Sequence, residues 1–394
     1  MDNHATTPVD PRVVEIMIPC LTLNFGNAAS QSHLFGREAE KLVEKSRAQV
    51  ANLIGAGPDE IIFTSGATES NNIALKGILE VYGSEGSQIM TQRTEHKSVL
   101  DPCRYLEKKK ARVTYLGVDA AGRIRIEELK KAITDQTVLI SIMAANNEVG
   151  TIQPIAEIGK ITKEKKIFFH VDAAQAVGKI PICVESMGID LLSFSGHKMY
   201  GPKGVGVLYV RSRNPRVRLA PIFHGGGQEH GLRSGTLNVP GIAGLGKACE
   251  IAQQEMAEEA RRLAALRDRL QKGLEKNLDG LFLNGHPVER LPHNLNLSFP
   301  GVDGDSLMTA LSEAAALSSG SACASGSSEP SYVLKALGLS PERIHTSIRF
   351  GLGRFNTQEE VDFLIEKITG AVRSLRQASP RHTAFKPENH SGQR

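Results

Sequence analysis

At 394 residues the chain is long enough for two domains, and its 40% hydrophobic and 23% charged residues are the proportions of an ordinary globular protein. A formal net charge of +4, from 47 basic and 43 acidic residues, gives no electrostatic reason to expect a nucleic-acid or membrane partner. No apolar run approaches the roughly 20 residues of a membrane-spanning helix, and the N-terminus MDNHATTPVDP has neither signal-peptide nor presequence character, so a cytoplasmic protein is expected.

In chain order, the strand-like EIIFTSG (60–66) precedes the helix-like ATESNNIALKGIL. QIMTQ (88–92) leads into a helical stretch from about Ser98 to Lys108, followed by RVTYLGV. VLISIMAAN (138–146), IFFHVDA (167–173), LLSFS (191–195) and GVGVLYV (204–210) are further β-rich runs, and IAEIGKITKEKK (155–166) has amphipathic helical spacing. Near-continuous apolar strands alternating with helices predict an α/β protein whose mostly parallel sheet is covered on both faces. A long helical segment then runs from 247 to 276. After it come LNLSFP (295–300), a helix near 304–315, the small-residue run SSGSACASGSSEP (318–330), SIRFGLG (347–353) and an amphipathic helix to about 376. The change of pattern predicts a second, α+β domain from about residue 262. The polar end, 378–394, is expected to be a mobile tail.

Three strand ends carry the chemistry. SFSGHKMYGPKG (193–204) sets Lys198 just beyond a strand, where a desolvated lysine forms a Schiff base with a carbonyl compound; most lysines in such loops are merely solvated. HVDAAQ puts Asp172 at the C-terminal end of another strand, 26 residues before Lys198. That interval suits one strand–helix–strand step and brings both residues to one edge of the sheet. A buried aspartate there suits a protonated pyridine nitrogen, the alternative being a helix N-cap. TSGATES (64–70) turns at Gly66 into a helix whose free N–H groups and positive end suit a phosphate. An anion cradle, a strand-end acid and a Schiff-base lysine together are the fixtures of a pyridoxal phosphate site. Five scattered cysteines without CxxC spacing indicate neither a disulfide framework nor a zinc site, and the two histidines of HGGGQEHG lack a third metal ligand.

With these blocks, and with NHATTPVDPRV, FGNAASQSH, TEHKSVL, NNEVGTIQ, HGGGQEHGLRSGT and SIRFGLGRF, the chain resembles the pyridoxal-phosphate-dependent cysteine desulfurases of the NifS/IscS group from residue 3 to about 376. The resemblance implies an aspartate-aminotransferase-like fold: a large domain (12–261) with a mostly parallel seven-stranded sheet, and a smaller α+β domain (1–11 and 262–377). It implies pyridoxal 5'-phosphate held by Lys198 as a Schiff base, with Asp172 on the ring nitrogen and His96 stacked on the ring and aiding proton transfer. Gln175 and Asn147 would bond the ring oxygen or the substrate. Ala67, Thr68, Ser195 and His197 would hold the phosphate, with Thr236 reaching in from a partner subunit of a homodimer. Arg349 would clamp the substrate carboxylate, Asn27 being a weaker candidate. Cys323, in its run of small residues, would be a mobile nucleophile that takes sulfur from L-cysteine as a persulfide, releases alanine, and passes the sulfur to an acceptor such as an iron–sulfur scaffold. Rival readings within the fold are an aminotransferase, which has no use for such a thiol, and a selenocysteine lyase. A vestigial, non-catalytic scaffold is the rival from another class. Relatives usually carry a few apolar residues ahead of the DNHATTP block, so a short leading strand is expected to be trimmed.

Overall fold

The computed structural model describes residues 1–319 and 330–378. In chain order the helices are α1 (Pro11–Thr22), α2 (Leu34–Ile54), α3 (Ala67–Tyr82), α4 (Lys97–Glu107), α5 (Ile126–Ala132), α6 (Ile155–Lys165), α7 (Val239–Asn277), α8 (Gly304–Leu311), α9 (Tyr332–Ala336), α10 (Pro341–His345) and α11 (Gln358–Ala378). The first sheet comprises β1 (Ile61–Thr64), β2 (Gln88–Gln92), β3 (Arg112–Leu116), β4 (Thr137–Ser141), β5 (Phe168–Asp172), β6 (Leu191–Ser195) and β7 (Gly206–Val210) in the spatial order β1-β7-β6-β5-β4-β2-β3. Only β7 runs antiparallel to its neighbours, so the sheet is mostly parallel as the apolar runs predict.

The pleat explains those runs. Ile62, Leu139, Leu191 and Leu208 face α3 and α4, where they pack with Ile73, Ile78, Val99 and Leu106. Their neighbours Phe63, Ile140, Leu192 and Val207 face the other way, into a core with Val43 and Val50 of α2, Ile158 of α6 and Leu245 of α7. Every strand but the edge strand β3 buries both faces, hence little polar alternation survives in their sequences.

A second, antiparallel sheet has the order β10-β11-β9-β8, from β8 (Phe282–Leu283), β9 (Asn294–Ser298), β10 (Ser318–Ser319) and β11 (Ser347–Gly351). Its core joins Leu295, Leu297, Ile348 and Phe350 to Leu307 of α8, Leu364 and Ile368 of α11, and Leu263, Leu266, Leu270 and Leu274 of α7. One helix, α7, therefore serves both cores.

Residues 1–10 form a strap between the two sheets. Asp2 bridges Gly351 of β11, Thr7 N–H bonds the carbonyl of His197 (2.9 Å), and Asp10 N–H bonds that of Tyr200 (3.0 Å). Gly351 must be glycine for this, since a Cβ there would lie 2.8 Å from the backbone nitrogen of His4.

Several elements differ from the sequence expectation. No helix links β5 to β6: residues 173–190 run as successive turns, with Gly178 and Gly188 in the left-handed region and Met187 O pressed against Gly159 of α6. Asp172 and Lys198 still reach the same edge because β5 and β6 are parallel neighbours. The strand expected over 138–146 stops at Ser141, and Asn146 Oδ1 then accepts the N–H groups of Glu148 and Val149 to turn the chain. Helix α7 starts at Val239, before the expected 247, with Asn238 as its N-cap. The helices α1, α2 and α5 lie outside the elements read from the sequence.

Candidate active site

The C-terminal ends of the parallel strands open onto a cavity of about 550 Å³. Asp172 ends β5, and Lys198 closes the single 3-10 turn Gly196–Lys198 that follows β6. Both line the cavity. Asp172 is buried; its Oδ2 accepts Asn71 Nδ2 (2.8 Å) and its Oδ1 accepts the N–H of Ala174 (3.0 Å). These bonds aim the carboxyl group at the cavity floor. Lys198 Nζ donates to the carbonyls of His4 and Ala5, the latter at 2.8 Å, so the strap holds the amine at the cavity wall.

His96 caps α4. Its Nδ1 accepts the N–H of Ser98 (3.1 Å), which places the proton of the neutral ring on Nε2. Ser98 Oγ lies 2.8 Å from the same Nδ1 and accepts Asn71 Nδ2 at 2.9 Å, so one asparagine ties the orientation of His96 to that of Asp172. Behind them Glu95 is fully buried. Its Oε1 takes the N–H of Met143 (2.6 Å), and desolvation followed by the charge of Asp172 pushes its carboxyl well above the usual range.

The opposite wall is an anion cradle. Helix α3 starts at Ala67 with Gly66 as its N-cap, φ 153°, so no capping side chain covers the first-turn N–H groups at the cavity. Gly206 of β7 permits this turn to sit so close, since a Cβ there would meet Gly66 Cα at 2.5 Å. Thr68, Ser195, His197 and Lys203 complete the wall. Desolvation, then the charges of Lys198 and Lys203, lower the pKa of His197 to about 4. His197 is therefore a neutral hydrogen-bonding group at pH 7, and Lys203 and the helix end carry the positive potential.

At the entrance from the second sheet, Arg349 of β11 is 1% exposed. Its Nη1 donates to Asn147 O (3.0 Å), and its Nη2 to Asp2 Oδ1 (2.9 Å) and Ser318 Oγ (3.1 Å). Its Nε and the Oδ1 of Asn147 have no partner among the described residues, and both side chains line the cavity. Two unsatisfied, oppositely polar atoms at one wall suit a ligand bearing a carboxylate and an amino or hydroxyl group.

Ten of the sequence-derived positions thus meet in one cavity: Ala67, Thr68, His96, Asn147, Asp172, Gln175, Ser195, His197, Lys198 and Arg349. Asn27 does not line it; it is exposed, its Oδ1 accepting the N–H of Ala29. Thr236 is also exposed, away from the cavity. Cys323 lies outside the described residues. The sequence reading missed His4, Asn71 and Lys203. His4 stands in the quoted NHATTP block. Asn71 follows Ala67 by four residues, one helical turn on, and that spacing was the available signal.

The chain belongs to the aminotransferase class-V family, whose model matches residues 1–364. It is 55% identical over 386 residues to a protein of Anaeromyxobacter sp. (strain K) named cysteine desulfurase IscS, covering 98% of this chain and 95% of the relative. Over 380 residues it is 54% identical to cysteine desulfurase IscS of Rickettsia conorii (strain ATCC VR-613 / Malish 7), covering 96% and 92%. Among solved structures it is similar to a NifS-like protein, with a TM-score of 0.88 and 43% identity over 95% of this chain and 99% of the other. It is also similar to SspA solved in complex with cysteine, with a TM-score of 0.79 and 39% identity over 90% and 99%.

Proposed function

We propose that this chain is a cysteine desulfurase that uses pyridoxal 5'-phosphate to move sulfur from L-cysteine to Cys323, releasing L-alanine. The observation that carries the reading is the convergence of Lys198, Asp172, the uncapped start of α3 and Arg349 on one cavity, in a chain whose near-full-length relatives carry that name.

The residues present fit the cofactor. The uncapped N-terminus of α3 with Ser195 and His197 suits its phosphate, the Asp172 carboxylate its protonated ring nitrogen, Lys198 its aldehyde, and Gln175 its ring oxygen. When bound, it supplies an imine carbon for the substrate amine and a ring that takes up electrons from the substrate carbon. The protein does the rest. Asp172 holds a proton on the ring nitrogen. Arg349 would fix the substrate by its carboxylate, while the unpartnered Asn147 Oδ1 offers an acceptor to a donor group of the ligand. Lys198, once its amine is free, would take the proton from the substrate Cα, with the His4 and Ala5 carbonyls keeping the amine in place. His96, its Nε2–H set by the Ser98 bond, lines the same cavity and would stack on the ring and aid proton transfer there.

In the transfer itself, the Cys323 thiolate attacks the substrate sulfur. The Cβ–S bond breaks, an S–S bond forms, and the electron pair stays with the carbon fragment, which takes up a proton and leaves as alanine. We assign 12–261 to the large unit and 1–11 with 262–377 to the smaller one. We assign the exposed apolar residues of α1, the following segment and the start of α2 (Ile18, Leu21, Leu23, Phe25 and Phe35) to a homodimer interface that brings Thr236 toward the partner's cradle. The four described cysteines are free thiols, which fits a reducing cytoplasm. An iron–sulfur scaffold protein is the acceptor we favour.

The test is incubation with L-cysteine and a reductant, assaying sulfide and alanine together. Equal amounts of both are expected. Loss of the amino group to a keto acid, or no sulfide, refutes the proposal.

A further inference from the structure

The strap residue His4 is wholly buried and forms part of the cavity wall beside Gln175. Its two ring nitrogens are fixed by partners whose own roles are not open to choice. Arg290 Nη2, which can only donate, bonds Asn294 Oδ1 at 3.1 Å. Asn294 Nδ2 faces the carbonyl of Glu148, which can only accept, at 3.2 Å. The Asn294 amide is thereby oriented, and its Nδ2 lies 3.0 Å from His4 Nε2, which must be the bare, accepting nitrogen. The proton of His4 is then on Nδ1, 3.0 Å from Gln175 Oε1. Gln175 Nε2 in turn donates to His4 O at 3.2 Å, leaving one N–H on a side chain that lines the cavity.

We propose that His4 is a positioning residue. Through this directed chain from Arg290 to Gln175 it holds the Gln175 amide with its nitrogen, not its oxygen, toward the cavity, so that Gln175 donates to an anionic ring oxygen of the cofactor. The inference rests on the Gln175 assignment above and adds the residue that enforces it. Only neutral His4 serves, because a second ring proton would set Nε2–H against the N–H of Asn294. Burial, with the charges of Arg349 on β11 and of Lys198 and Lys179 beside the strap, disfavours the imidazolium, and the ring of His293 lies 4.5 Å from that of His4.

A donor to the ring oxygen stabilises its ionised form, so the readout is the pH midpoint of the visible absorption of the cofactor-loaded enzyme. His4→Phe keeps the ring shape without the donor and should raise the midpoint by about one unit, as should Gln175→Leu; the double variant should shift it no further. His4→Asn places an amide nitrogen where Nδ1 was and should return the midpoint to within about 0.3 units of the parent. A shift with Gln175→Leu but none with His4→Phe overturns the positioning role. No shift with Gln175→Leu overturns the Gln175 assignment, and the proposal with it. Should the variants bind no cofactor, nitrogen NMR of His4 in the parent holoenzyme decides. A protonated Nδ1 and bare Nε2, unchanged from about pH 6 to 8, support the proposal; the opposite tautomer or a titration in that range overturns it.

Discussion

Replacing Arg349 by lysine keeps the charge and removes the geometry. The guanidinium reaches Asn147 O, Asp2 Oδ1 and Ser318 Oγ at once and still has its Nε–H and one Nη1–H to offer the cavity. An ammonium at the end of a lysine cannot span Asn147 O and Asp2 while also presenting two coplanar N–H groups to a carboxylate. If the substrate loses one of two charge-assisted bonds, at about 1.5–3 kcal/mol, then at about 1.4 kcal/mol per decade its KM rises about 10- to 150-fold. We expect about 30-fold for Arg349→Lys, with kcat within about threefold because the bond is made in ground and transition states alike. The assay is alanine release against L-cysteine concentration under reductant, with the visible band read in parallel to confirm a loaded cofactor. A KM within about threefold of the parent, with the band intact, refutes the carboxylate clamp.

Cys323→Ala should keep the cofactor's colour and abolish persulfide on the protein; persulfide labelling that survives assigns the nucleophile elsewhere. Glu229 is buried and accepts Arg47 Nη2 (2.8 Å), Arg47 Nη1 (3.0 Å) and the N–H of Phe63 (2.7 Å). Glu229→Gln removes the buried partner and leaves Arg47 only the exposed Glu44 (3.0 Å) as a counter-charge, so it should cost about 1.5–3 kcal/mol in urea unfolding, whereas a loss under about 1 kcal/mol refutes the pairing argument. His170, buried between Ser141 Oγ (2.8 Å) and Ser193 Oγ (3.0 Å), has its pKa lowered by desolvation to about 3. Its folded pKa is below the unfolded value, so the unfolded chain binds more protons between the two. The stability it protects is full above about pH 6.5 and is lost as pH falls toward 3. His170→Asn should flatten that slope, and an unchanged slope refutes the assignment. Leu21→Glu, on the exposed end of α1, should give monomers in the ultracentrifuge; a persisting dimer places the interface elsewhere.

The sheet was legible because both faces of its inner strands are buried, so these read as apolar runs and a polar residue at their end, Asp172 or Ser195, stands out. The same logic hid α2. Its buried face is built of Gly36, Ala39, Ser46, Arg47 and Ala51 beside Val43, Val50 and Ile54, and small or charged residues do not signal burial in sequence. Arg47 is inside because the buried Glu229, far along the chain, meets it there, with Glu44 pairing at the outer side. His4 was illegible for a related reason: its burial comes from Gly351 letting the strap pass between sheets, which no local pattern records. The expected helix between β5 and β6 failed because spacing alone cannot tell a helix from turns, and Gly178, Pro181 and Gly188 favour turns.

Helix α7 has a mechanical consequence. Its 39 residues make a rod of roughly 58 Å. Its first half is pinned where Gly244 and Gly246 admit Met17 and Ser46, and its second half is the spine of the antiparallel core. At the crossing point Glu259 takes Lys179 and Arg354, which with the ring of Tyr200, two residues past Lys198, form one packed knot. The two cores are thus not blocks free to slide. A displacement of Arg349 relative to Lys198 has to flex this rod near Glu259, so the spacing between the amine and the carboxylate clamp is held by helix stiffness, as the arms of a caliper are held by its beam.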